Sequence, residues 1–349
     1  MNSTPMDNSA NNAGNRTRRS LAFVAKATIS VVLLYFCLLT VDFESLAQRL
    51  DRIEFGWVAF VIAAFGVQTL LATVRWQQIA IVCGAVLAFS RAFYYMIVGA
   101  FFNQTLPSTV GGDAARLYLL ARSGAGWKIA SYSVLVDRGI GLFFLALLVA
   151  ICLPWSLVLI KDPLGRAALI TIGLGGVAAG LSFLSLALVP TNLSDRWWAT
   201  RHIANVAKVL LELCSSLRTA LNISGLSIFI HLLTVAAAWG AAKSIAAPLS
   251  FVDALFLVPP VMLISTIPIS IAGWGLREGV MMVAFGYAGL HQSDGLIVAL
   301  LLGFGTFVVG AVGAILWVLT GHSLSTVQGD PSGIPEGEAN GGGRSSSAQ

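Results

Sequence analysis

Long runs of apolar residues, each about the length of a membrane-spanning helix, dominate the pattern along this chain. An α-helix rises about 1.5 Å per residue, so roughly 20 apolar residues cross a hydrocarbon core of about 30 Å. Runs of that length predict an all-α integral membrane protein. The six predicted transmembrane helices are 21–41, 56–74, 130–153, 167–189, 224–243 and 295–319.

Two further apolar stretches are interrupted near their middle by proline and glycine. The stretch 92–122 is broken at 107–113, and the stretch 253–290 is broken at 268–275. Each flank is only about 10 to 15 residues long, which is too short to cross a bilayer. We therefore expect two opposed re-entrant helical hairpins, because irregular backbone at membrane depth must be buried in protein or face water.

The two interruptions share one spacing, in which a glycine follows the proline by five positions and an arginine by nine. They are Pro107, Gly112 and Arg116 in the first stretch and Pro268, Gly273 and Arg277 in the second. Each hairpin follows two predicted spans and precedes one. The chain thus divides into inverted halves of about 21–160 and 161–320, the arrangement typical of transporters. The basic segment 1–20 and the Gly- and Ser-rich segment 321–349 are expected to be disordered.

The composition excludes a soluble globule, since 57% of the residues are hydrophobic and only 11% are charged. The net charge is +5, but the basic residues flank apolar runs, a pattern that indicates membrane orientation and not nucleic-acid binding. With both termini in the cytoplasm, 14 basic residues fall on the cytoplasmic side and 6 on the other. The linker 191–222 predicts an amphipathic helix on the cytoplasmic surface. Its apolar face comprises Ile203, Val206, Leu210, Leu213 and Leu217.

The residues around the two hairpin tips have the chemistry of an anion site. The returning half-helix begins just after each break, so its N-terminus carries partial positive charge. Arg116 and Arg277 add full charges, and the arginine fork can bind phosphate through two parallel hydrogen bonds. Glycines supply positive φ angles or let a ligand or backbone approach closely. The predicted substrate-binding residues are Gly111, Gly112, Asp113, Arg116, Asp137, Arg138, Gly273, Gly275, Arg277 and Glu278.

A purely structural alternative explains the same charges. Asp113 would cap a helix, Arg116 would extend to the lipid headgroups, and Glu278 would be a local counter-charge for Arg277. The sequence contains no Walker A, G-x-S-x-G or H-E-x-x-H motif, and its four cysteines form no C-x-x-C pair. We expect no catalytic residue, no metal and no cofactor.

Three segments resemble a known family. "FFNQTLPSTVGGDAARLYLL", "IPISIAGWGLREG" and "VLVDRGIGL" are similar to recurring segments of the lysylphosphatidylglycerol synthase transmembrane, or flippase-like, family. The resemblance covers about residues 20 to 320. It implies a multi-pass protein of a bacterial cytoplasmic membrane that moves a lipid between leaflets. We expect no counterpart of the soluble aminoacyl transferase domain that the synthases themselves carry.

Lipid translocation is therefore the function that the sequence predicts. The partner would be a phospholipid, a polyprenyl-phosphate or a hopanoid-type lipid, with Arg116 and Arg277 holding the headgroup from the two sides. Three alternatives remain open: a lipid-modifying or glycosyl-transferring membrane enzyme, a small-solute transporter and a membrane scaffold.

Overall fold

A computed structural model describes residues 53–105, 110–185, 198–267 and 274–320, together with the single positions 28, 32 and 35. Helices dominate these residues, and the described part of the chain contains no β-strand. The predicted span 21–41 lies outside the described residues except at the three single positions, each of which is helical. The segments 1–20 and 321–349 also lie outside them.

Five helical stretches in the described residues are long and apolar enough to cross a membrane. They contain helices α1, α4, α5, α7 and α10, which confirms the remaining five predicted spans as apolar helices. All five begin before their predicted first residue, and α1, α4 and α7 also extend beyond their predicted last residue. The bounds are Phe55–Val82 for α1, Gly126–Leu159 for α4, Pro163–Ser185 for α5, Leu217–Ser244 for α7 and Gln292–Leu319 for α10.

The two interrupted stretches form two helix pairs. Helices α2 (Phe89–Thr105) and α3 (Gly111–Leu120) pack against each other, as do α8 (Phe251–Ser265) and α9 (Leu276–Tyr287). Each helix has at most 17 residues, or about 26 Å, which is shorter than a bilayer core of about 30 Å. Both predicted breaks therefore fall between two helices, although α3 begins at Gly111, inside the first predicted break. That the two pairs are re-entrant stays a prediction.

Helix α3 joins α4 without a separate loop. A π-helical turn, Ala121–Ala125, connects them, and the chain changes direction at Gly124, which has a φ of 103°. Helix α8 begins with a capping box, in which Ser250 and Asp253 satisfy each other's backbone N–H groups. These local signals set where the hairpin arms start and stop.

The packing partners of the helices repeat along the chain. Helix α2 packs against α10, and α8 packs against α4. Helix α1 contacts α2 as α7 contacts α8, and α3 contacts α4 as α9 contacts α10. Helices α1 and α7 pack closely on each other, with Gly240 of α7 lying against Phe60 of α1. The set of packing contacts among these eight helices stays the same when α1, α2, α3 and α4 are exchanged, in that order, with α7, α8, α9 and α10.

Helix α6 (Trp198–Ser215) is amphipathic, as the sequence predicts. Its apolar residues Val206, Leu210 and Leu213 are buried against side chains of α1, α4 and α7. The apolar face thus packs on protein. The assignment of Leu217 to that face is wrong, because Leu217 starts α7 and is exposed.

Candidate functional site

The first hairpin is held together by a close approach of its two arms. The backbone N–H of Gly112 in α3 donates a 2.7 Å hydrogen bond to Oδ1 of Asn103 in α2. A Cβ atom on Gly112 would lie 2.2 Å from the carbonyl oxygen of Gly99, so only glycine fits. Neither Gly111 nor Gly112 has a positive φ. The sequence predicts either a positive φ or a close backbone approach for these glycines. The structure shows the close approach, at Gly112.

Asp113 in the first turn of α3 joins two arginines. Its Oδ1 accepts a hydrogen bond from Nη2 of Arg116 on the same helix, and its Oδ2 accepts one from Nε of Arg138 on α4. The N-cap of α3 is Val110, so the alternative role of Asp113 as a helix cap is wrong. The carboxylate instead ties the returning arm of the hairpin to α4.

Asp137 extends this network to α1. Its Oδ1 accepts a 3.0 Å hydrogen bond from Nε of Arg75, and its Oδ2 accepts a 3.3 Å hydrogen bond from Nη1 of Arg116. Arg75 also donates from Nη1 to Oγ of Ser227 on α7 at 3.2 Å. The guanidinium of Arg116 lies over the ring of Trp76, 5.0 Å from its centroid. We call the five residues Arg75, Asp113, Arg116, Asp137 and Arg138 the charge cluster.

The charge cluster is buried except at one end. The side chains of Arg75, Asp113, Arg116 and Asp137 are each less than 10% exposed, whereas that of Arg138 is 44% exposed. Three arginines and two aspartates leave a formal charge of +1. Arg138 lies about 18 Å along the axis of α4 from its first residue. The cluster therefore lies well inside the length of α4, away from its first turn, and its exposed end is Arg138.

The second hairpin holds a smaller, neutral pair. Oε1 of Glu278 accepts hydrogen bonds from Nε and Nη2 of Arg277, at 3.1 and 2.6 Å. Oε2 accepts a 2.6 Å bond from the N–H of Gly275, the N-cap of α9, which has a φ of 85°. Glu278 is fully buried, and Arg277 stacks on the ring of Trp274. In this geometry Glu278 is the local counter-charge of Arg277, as the structural alternative predicts.

The structure brings together six of the ten predicted site residues around the first hairpin. Four of them lie in α3 and two in α4: Gly111, Gly112, Asp113 and Arg116, then Asp137 and Arg138. All except Gly111 make one of the polar contacts described above. Gly275, Arg277 and Glu278 form the second pair. Gly273, Pro107 and Pro268 lie outside the described residues. Two opposed hairpins would bring Gly112 and Gly273 close together, and this proximity stays a prediction. Within the described residues, no ion pair joins the two hairpins.

Sequence reasoning missed Arg75. Arg75 directly follows the predicted span 56–74 and is one of the 14 basic residues that the sequence places on the cytoplasmic side. In the structure it is only 7% exposed and lies inside the bundle. The available signal was the run of polar and amphipathic residues after Val74, which keeps helical spacing up to Val82. Helix α1 continues beyond its apolar run to Val82, so Arg75 lies within the helix and is buried by the neighbouring helices.

Comparison with known proteins gives one family match. The family model described as "Lysylphosphatidylglycerol synthase TM region" matches residues 23–313, which include both hairpins and the whole charge cluster. No curated protein matches the chain.

Proposed function

This chain belongs to the lysylphosphatidylglycerol synthase transmembrane family, and from that premise we propose that it translocates a phosphate-bearing lipid between the leaflets of a bacterial cytoplasmic membrane. The multi-pass helical architecture has the length and hydropathy that such a protein needs. The proposal concerns the membrane region alone and includes no aminoacyl transfer.

The observation that carries the proposal is the charge cluster. Ionisable side chains at membrane depth are costly, and they usually mark a substrate pathway. The charges of the four buried members cancel, since they are two arginines and two aspartates. The remaining positive charge is that of Arg138, whose side chain is exposed. An anionic headgroup at Arg138 would neutralise that charge. Arg138 is thus the proposed direct contact, while Arg116 positions it through their shared partner Asp113.

Direct headgroup contacts of Arg116 and Arg277 stay predictions. Both guanidinium groups are engaged by carboxylates of the protein, Arg116 by two aspartates and Arg277 by Glu278. Each arginine would have to leave its carboxylate, at least in part, to hold a phosphate. Transport requires some rearrangement of this kind, since a headgroup must pass from one leaflet to the other.

The same proposal treats the chain as two inverted halves, about 21–160 and 161–320, with the hairpins α2–α3 and α8–α9 entering from opposite leaflets. The repeated packing pattern of the helices supports this division. The excess of basic residues supports cytoplasmic termini. A membrane-impermeant maleimide should then label the exposed Cys214 from the cytoplasm and a Pro163→Cys variant from outside. The reverse accessibility would reject this orientation.

Reconstitution tests translocation itself. Vesicles made with and without the purified protein receive a small fraction of phosphatidylglycerol carrying a fluorescent acyl chain, and dithionite then quenches the outer leaflet. Without translocation about half of the fluorescence is protected. We expect the protein to expose most of the protected lipid, and Arg138→Ala to slow this step about ten- to a hundredfold, the value of a charge-assisted hydrogen bond.

Arg166→Ala is the matched control, because Arg166 is an exposed arginine at the start of α5 outside the charge cluster. It should transport at the wild-type rate. Equal rates in wild type and Arg138→Ala would remove Arg138 from the mechanism. The same protected fraction with and without protein would reject translocation.

A further inference from the structure

The charge cluster also selects a class of headgroup. We infer that the substrate carries a single phosphodiester, with one negative charge and no compensating ammonium group. This inference rests on the proposed function and specifies the charge and the phosphate chemistry of the headgroup of its substrate.

The first step is the charge balance of the two hairpins. The charge cluster has a formal charge of +1, and every buried carboxylate in it already accepts hydrogen bonds from two arginines. The pair Arg277–Glu278 adds nothing, because its charges cancel. One positive charge is therefore left for a ligand at this site.

The second step is the geometry of Arg138. Asp113 binds its Nε, and no other hydrogen bond to its guanidinium occurs among the described residues. The two Nη nitrogens are thus the part of the group left for a ligand, on a side chain that is 44% exposed. Two parallel donors match the two non-bridging oxygens of a phosphodiester, which share one negative charge.

The third step compares this ligand with other headgroups. A phosphate monoester carries about two negative charges at pH 8, and a diphosphate carries more, so either would leave excess negative charge at membrane depth. A zwitterionic headgroup adds an ammonium group, for which no unengaged carboxylate exists in the cluster. An uncharged lipid would leave the two Nη nitrogens of Arg138 without a charged partner. Of the headgroups compared, only the single phosphodiester brings the site to neutrality.

Three fluorescent lipids at pH 8 test this inference in the vesicle assay. Phosphatidylglycerol is a singly charged phosphodiester, phosphatidic acid is a monoester, and phosphatidylcholine is a zwitterion. One unbalanced charge should cost at least about tenfold in rate, so we expect phosphatidylglycerol to cross at least about tenfold faster than either of the others.

A charge-shift variant adds a second arm. Asp113→Asn keeps the shape of the side chain and raises the cluster to +2, which should move the preference toward phosphatidic acid. The wild-type series decides by itself if this variant does not fold. Equal protein-dependent rates for all three lipids would overturn the inference and leave translocation standing. Rates no faster than in protein-free vesicles would overturn both.

Discussion

The backbone N–H of Gly112 donates to the side chain of Asn103 across the first hairpin, at 2.7 Å. This contact explains why an apolar chain is interrupted by glycine here. The two arms of the hairpin approach so closely that a side chain at Gly112 would meet the backbone of Gly99. The close approach sets Asp113 and Arg116, one and four positions later, into the bundle interior. The glycine is therefore a packing requirement that places the charges.

Replacement of Gly112 by alanine tests this role. The added Cβ would lie 2.2 Å from a carbonyl oxygen of Gly99, so the arms must separate. Overpacking of this kind costs about 1–3 kcal/mol or more, and we expect a lower unfolding temperature in detergent. Gly225→Ala is the control, because nothing lies within 4 Å of its new Cβ. Equal thermal unfolding of the two variants would contradict the close packing of α2 and α3.

The balance of charges in the cluster predicts a compensation between two substitutions. Asp137→Asn leaves Arg75 and Arg116 without their shared carboxylate, and breaking a buried pair costs about 3–5 kcal/mol. Adding Arg75→Gln returns the cluster from +2 to +1, so the double variant should be more stable than Asp137→Asn alone. Titration with SDS measures the free energies of unfolding. A double variant that is less stable by the sum of the two single effects would show that the pair is uncoupled.

Arginine-to-lysine changes separate charge from geometry at the two hairpins. Arg116 bridges two aspartates, and Arg277 donates twice to one oxygen of Glu278. Lysine retains the charge but lacks the planar fork, so transport should fall in both lysine variants and fall further in the alanine variants. The vesicle assay on normally folded protein measures these rates. Wild-type transport in all four variants would return both arginines to a purely structural role.

The reactivity of the Cys83 thiol tests whether α6 packs against the end of α1. Burial, and to a smaller extent repulsion of the thiolate by the carboxylate of Glu212 on α6, raise the pKa of the Cys83 thiol to about 11. Because the thiolate is the reactive form, maleimide labelling of a Cys83-only variant should rise about tenfold per pH unit between pH 7 and 10. Glu212→Gln should speed labelling at a fixed pH. A rate that levels off below pH 9 would contradict the buried position of Cys83 beside α6.

Much of the architecture follows from sequence because apolar length and helix breakers are local signals. The long helices α1, α4, α5, α7 and α10 each coincide with an apolar run, and both hairpins coincide with Pro-Gly breaks. The pairing of Asp113 with Arg116 is equally local, since residues three apart share one helix face.

The remaining contacts of the site depend on tertiary packing. Arg138 meets Asp113 because the π-helical turn before Gly126 sets the angle between α3 and α4, and no periodicity reports that angle. Arg75 enters the cluster because α1 extends eight residues beyond its predicted end at position 74. The sequence thus predicts four of the five members of the charge cluster, and the packing of the helices adds Arg75 and leaves Arg138 at the exposed end.

The central claim is that this exposed end binds a lipid phosphate. An experimental structure of the protein in nanodiscs containing phosphatidylglycerol tests it most directly. The account predicts phosphate density within about 3 Å of the Nη nitrogens of Arg138, with Asp113 still holding its Nε. Lipid phosphates confined to the ends of the helices, with acyl chains or protein covering Arg138, would contradict it.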